Sequence, residues 1–128
     1  MMTADVFAEH VARVRERFAS TLNDKVAYSF AALEKISAGG GETVEIVIAA
    51  HRRLHEMYGI APTLGFEATG KAAGTARTAI KEAAKGKRAP TRAEIAALKT
   101  ALEQLREAAA ADLQSFSMGN PNSPALHR

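Results

Sequence analysis

The sequence has no cysteine and no tryptophan, and only 5% of it is aromatic. Without cysteine, a disulfide framework and thiolate metal sites are both excluded, and a cytoplasmic setting is the expectation. No apolar run approaches the roughly 20 residues of a membrane span, so no membrane contact is expected. The opening residues MMTADVFAEH carry acids and lack the basic start and apolar centre of a signal peptide. The net charge is a mild +3, with a pI near 9.4. That balance allows an acidic partner but does not demand nucleic acid. With few aromatics and no helix-turn-helix punctuation, no nucleic acid is expected. Three glycines in a row, residues 39–41, follow no strand and precede no Gly-Lys-Ser/Thr, so they read as a loop and not a phosphate cradle.

What is present is helical. The chain has 128 residues, the size of one domain, and its 47% apolar fraction suffices for a core. Much of that fraction is alanine, so the helices should lie close together. Residues 4–37 carry Phe7, Val11, Val14, Phe18, Leu22, Val26, Phe30, Leu33 and Ile36 at helical spacing. Thr3 suits the N-cap, and the glycines at 39–41 stop the pattern. One straight helix of that length would run roughly 50 Å at about 1.5 Å per residue, so a break between Arg17 and Asp24 is expected. A second, central helix spans residues 43–61 and is ended by Pro62 and Gly65. An alanine-rich third spans residues 66–85. After the basic loop KGKRAP, Thr91 and Glu94 form a capping box. The last helix carries Ile95, Leu98, Leu102, Leu105 and Ala109, a seam that fits a bundle. The expected fold is all-α: an antiparallel four-helix bundle over residues 1–114, with room for an extra N-terminal helix. Residues 115–128, with two prolines and no apolar period, read as a disordered tail.

The informative stretch is HRRLHEMYGIAPTLGF, residues 51–66. Successive helical residues turn by about 100°, so Ile48, His51, Arg52, Tyr58, Gly59 and Pro62 fall on the side of His55, while Leu54 and Met57 point to the core. Both histidines therefore lie on a polar stripe of an otherwise apolar helix. A mid-helix glycine costs close to 1 kcal/mol relative to alanine, a cost more readily borne where something must come close. Gly59 stands one turn beyond His55 and leaves its imidazole open from above. His51 lacks that clearance, because His55 itself stands four residues on. His55 is therefore the reactive one. A neutral imidazole is a nucleophile that can take a phosphoryl group on nitrogen.

His55, Gly59 four residues on, Gly65 six further, then Phe66 resembles the motif of histidine-containing phosphotransfer domains, above all the version in chemotaxis histidine kinases, which also ends in glycine-phenylalanine. Leu54, Ala61 and the upstream RFASTLNDKVAYSFAAL suit the same pattern. The resemblance covers most of residues 13–84. It implies a helical bundle whose exposed histidine carries phosphate to and from receiver-domain aspartates. The implied partners are a response-regulator receiver, a sensor histidine kinase, or both. It implies no cofactor on this chain, the receiver supplying Mg²⁺ and most of the catalysis. His55 is then the phosphoacceptor, and His51, Arg52, Tyr58, Gly59 and Lys71 form its phosphate environment, with Gly65 and Phe66 shaping the backbone.

Two departures from the family pattern bear on transfer. The family usually has a lysine three residues after the histidine, where this chain has Tyr58. The chemotaxis version orients the imidazole with a glutamate on the following helix, and that place is Arg77 here. Arg52, Arg53 or Lys71 are candidates for the missing positive charge. His51 and His55 could also be two zinc ligands, but the order His-Arg-Arg-Leu-His lacks the zinc-protease glutamate and no third ligand is apparent. The basic cluster Lys81, Lys85, Lys87, Arg88 and Arg92 reads as a solvated hairpin able to steer an acidic partner. The chain is expected to be a monomer, and the alternative to a phosphorelay carrier is a helical interaction module that binds a receiver or kinase without transferring phosphate.

Overall fold

The computed structural model of the chain describes residues 3–119. Among these it contains four α-helices and no strand: α1 (Thr3–Ala38), α2 (Thr43–Ile60), α3 (Glu67–Lys85) and α4 (Arg92–Gly119), with a 3₁₀ turn over Pro62–Leu64 between α2 and α3. None of these helices is long and apolar enough to cross a membrane.

The break expected between Arg17 and Asp24 does not occur, and α1 is one helix of 36 residues. The stretch holds neither glycine nor proline. Its hydroxyl residues bond backwards within the helix: Ser20 donates to the Arg17 carbonyl at 2.8 Å and Thr21 to that of Phe18 at 3.2 Å. Phe18, Leu22 and Val26 stay buried in one unbroken stripe across the place. The extra N-terminal helix is likewise absent as a separate element. Its residues are the first turns of α1, where positions 5–10 are exposed and Phe7 is 69% accessible.

The core forms where all four helices meet. Leu22, Val47, Leu54, Phe66, Ile80, Leu98, Leu102 and Leu105 are almost wholly enclosed. On α3 the inward residues are mostly alanine (Ala73, Ala76 and Ala83, all fully buried), and α3 has its most extensive contacts with α2 and α4. Small side chains bring the helix axes together, which is how so alanine-rich a chain reaches dense packing. The α4 seam is as expected, with Leu98, Leu102, Leu105 and Ala109 buried and Ile95 at its margin.

Gly65 takes a left-handed φ of 91°, which a side chain would strain. It turns the chain sharply after Pro62, so that the Phe66 amide donates back to the Ala61 carbonyl at 2.9 Å. Phe66 then enters the core, its ring centroid 5.1 Å from that of Phe18 and 5.6 Å from that of Phe116. Arg15 of α1 fixes the turn from outside. Its Nε donates to the Leu64 carbonyl at 2.8 Å, and its guanidinium lies 5.1 Å from the centre of the Phe116 ring. These contacts explain why α4 runs to Gly119, through residues 115–119 that were expected in a disordered tail. Phe116 has an aromatic partner and a cation to hold it. Residues 120–128 of that stretch lie outside the described residues.

Phe66 occupies the N-cap of α3 and has no side-chain acceptor to offer. Asp112 of α4 supplies one: its Oδ2 accepts from the Thr69 amide at 2.8 Å. At the other end of the α3–α4 connection, the Thr91–Glu94 capping box forms as expected. The Thr91 amide donates to Glu94 Oε1 at 2.8 Å and the Glu94 amide to Thr91 Oγ1 at 3.1 Å. Asp112→Ala should lower unfolding free energy by about 1 kcal/mol, the ordinary worth of a helix N-cap, with an unchanged denaturant slope in urea. Asp112→Asn, which keeps an acceptor oxygen, should lose less. Equal loss in both variants would show that the cap bond is not the source.

Candidate functional site

The burial pattern of α2 follows its sequence. Val47, Ala50, Leu54 and Met57 are buried, and Arg52, His55 and Gly59 are exposed. The two histidine rings are stacked one turn apart, with centroids 6.3 Å apart and planes 11° from parallel. A Cβ at position 59 would meet nothing within 4 Å. The surface at Gly59, one turn beyond the exposed His55, is therefore open. An exposed imidazole with a clear line of approach is able to act as a nucleophile.

Tyr58 does not extend freely over this surface. Its ring packs on α3 at Gly74, where an added Cβ would stand 2.6 Å from Tyr58 Cδ1. One turn earlier on α3, a Cβ on Gly70 would stand 2.5 Å from Cγ of Pro62. The guanidinium of Arg77 lies 4.8 Å from the centre of the Tyr58 ring, a cation–π contact. The ring remains 44% accessible, and its centroid is 6.4 Å from that of His55.

Arg77 is the residue that the sequence reading undervalued. It stands where the chemotaxis pattern has its orienting glutamate, and it brings the opposite charge. It is half-buried, and its Nε is enclosed with no hydrogen-bond partner. His51 Nε2 is enclosed and unpartnered in the same way. Burial holds the His51 pKa below its ordinary 6.5, and the nearby charges of Arg77, His55 and Lys81 lower it further. His51 is therefore half-buried with its charged form disfavoured, while His55 faces outward. The available signal was the spacing on α3. Gly70 and Gly74 admit α2 closely, and Arg77 and Lys81 follow at helical intervals.

The other residues expected around the phosphate are dispersed. Lys71 is exposed beside Gly70, at the level of Pro62, and no described contact brings it to His55. Arg52 lines a cleft with Ile48, His51, Lys81, Ala84 and Lys85. Arg53 turns the other way, with its guanidinium 4.1 Å from the centre of the Tyr28 ring on α1. There it borders a groove of about 420 Å³ with Phe18, Lys25, Tyr28, Glu56, Met57 and Ile60. The exposed stripe of α2 thus runs between a basic cleft toward α3 and an apolar groove toward α1. Gly65 and Phe66 act through the backbone and the core and do not touch the site. The described residues contain no group of three or more His, Cys, Asp or Glu placed to hold a metal ion.

Burial and the neighbouring cations set the direction in which His51 titrates. Its proton should leave at a pH below 6.5 in an NMR titration, and Arg77→Ala should raise the midpoint only part of the way, because burial is the larger cause. A depressed folded pKa contributes stability above the unfolded value near 6.5 that is lost as pH falls through the folded value. His51→Gln should therefore be less acid-sensitive than wild type between pH 7 and 5. A His51 midpoint at or above 6.5 would contradict the arrangement. Comparison with models of protein families, with curated proteins and with solved structures finds no match to this chain.

Proposed function

We propose that the chain is a phosphorelay carrier of two-component signalling, an antiparallel four-helix bundle in which His55 accepts a phosphoryl group from one partner and donates it to another. The partners are a receiver domain with its aspartyl phosphate and a sensor histidine kinase. The observation that carries this reading is the exposed His55 on α2 with open space at Gly59. The lone pair of the ring nitrogen farther from the backbone attacks phosphorus in line. The bond from phosphorus to the aspartate oxygen breaks and its electron pair returns to the carboxylate. The receiver holds the Mg²⁺ on which this step depends, and this chain contributes an accessible nucleophile and its electrostatic surroundings.

Phosphorylation adds negative charge at His55, and a nearby cation favours its acquisition. The usual lysine is absent, and Arg77 is a cation lodged against Tyr58, the residue at the lysine's place, where it also lowers the pKa of His51. Arg77 takes the supporting role in place of Arg52 or Lys71. A second reading keeps some ground on one observation: Tyr58 is packed against Gly74 instead of being free to reach a phosphoryl oxygen. On that reading the chain binds a receiver or kinase and transfers nothing.

Incubation with a panel of phosphorylated receivers and kinases separates the two. Transfer should give an acid-labile, base-stable product that His55→Gln abolishes and His51→Gln largely keeps. Tyr58→Lys should raise the phosphorylated fraction at equilibrium and Arg77→Ala should lower it. The difference between a charged and a neutral hydrogen bond, about 1 kcal/mol, corresponds to about fivefold in each case. Binding of receivers without labelling in wild type and in Tyr58→Lys would favour the interaction module. Gly59→Ala provides a separate check on the glycine. It should stabilise the fold by up to about 1 kcal/mol, because the new methyl meets no neighbour. It should nevertheless slow transfer to His55. Unchanged transfer would remove the reason given for the glycine.

A further inference from the structure

We infer that the cleft between α2 and α3 beside His51 is a binding site for a compact polyanion bearing adjacent phosphate groups. Its walls are Ile48, His51 and Arg52 from α2 and Lys81, Ala84 and Lys85 from α3, around about 350 Å³. Three of those six residues are permanent cations and none is a carboxylate. The one ion pair among the described residues is Arg88–Glu94, on the loop side of the basic cluster, so it neutralises none of the three. Glu45, Glu56 and Glu82 are the acids closest in sequence. All three are exposed and none lines the cleft.

A solvated lysine face would account for Lys87 and Arg92, but it does not account for this convergence. Lys81 and Lys85 are one turn apart, a like-charge spacing that costs a few tenths of a kcal/mol in a helix. Arg52 is added to them from the facing helix, and Arg77 lies close enough to lower the pKa of His51 from the same side. Concentrating cations around a concavity floored by Ile48 and Ala84 raises their mutual repulsion, and a bound anion relieves it. An arginine fork and two ammonium groups suit phosphate oxygens. Three positive charges in one cleft match a diphosphate better than a monophosphate. Inorganic diphosphate and the phosphate tail of a nucleotide share that chemistry. The inference does not rest on the phosphocarrier reading, because the cleft is lined from α2 by Ile48, His51 and Arg52 and does not include His55.

The test is a titration of the full chain, followed by amide NMR at fixed ionic strength, with phosphate, diphosphate and ATP without Mg²⁺ in separate arms. Diphosphate should bind saturably and about tenfold more tightly than phosphate, as expected for one further charge-assisted contact. Its shifts should centre on residues 48–52 and 81–85. The double variant Lys81→Gln/Lys85→Gln, exposed and outside the core, should lose at least about tenfold in affinity. Lys87→Gln/Arg92→Gln and His55→Gln should bind as wild type does. Tighter binding of ATP than of diphosphate identifies a nucleotide as the ligand, and equal binding identifies the phosphates alone. Shifts that stay linear with concentration, or that centre on Lys87 and Arg92, would overturn the site and leave only diffuse counterion attraction.

Discussion

The close approach of α3 to α2 is the constraint on which the arrangement depends. Pro62 and Tyr58 rest on Gly70 and Gly74, where any side chain would collide with them. With these two contacts fixed, the levels of the remaining residues on the two helices follow. His51 is half-buried, Arg77 lies against Tyr58, and Lys81 faces the cleft beside Arg52. A larger residue at position 74 would displace the tyrosine and with it the cation that rests on its ring. The site is thus shaped by two missing side chains as much as by the groups that line it.

The same closeness divides the labour between the histidines. Both lie on one stripe of α2 and both are imidazoles, yet one is half-buried with its pKa lowered while the other faces outward. Desolvation and neighbouring cations penalise a proton on the inner ring. The outer ring is exposed and has a glycine one turn beyond it. One helix therefore presents a packing histidine and an accessible one four residues apart, and the difference lies in what α3 places against each.

Much of this was readable from residue order. The apolar period of α2, the Thr91–Glu94 capping box and the α4 seam depend on local spacing, and local spacing is what a sequence displays. The exposure of His55 followed from the same helical geometry. What could not be read depends on partners distant in the chain. The tail expectation failed at residues 115–119 because Phe116 packs on Phe66, a contact across the fold. The expected bend in α1 did not form, because length alone is a poor signal of a break when the buried stripe is continuous. Arg77 was passed over because it was measured against a glutamate of another pattern, not against the tyrosine that lies beside it.

The cap of α3 also has a bearing on how the chain reaches this fold. Thr69 and Asp112 are 43 residues apart in sequence, and their bond is the one that completes the first turn of α3. Phe66, at the cap position, is an anchor and not a substitute acceptor. The start of α3 is therefore left incomplete until α4 has returned along it, however early the middle of the helix forms. Closing so long a loop costs entropy before any contact repays it, which places this corner among the later events of folding.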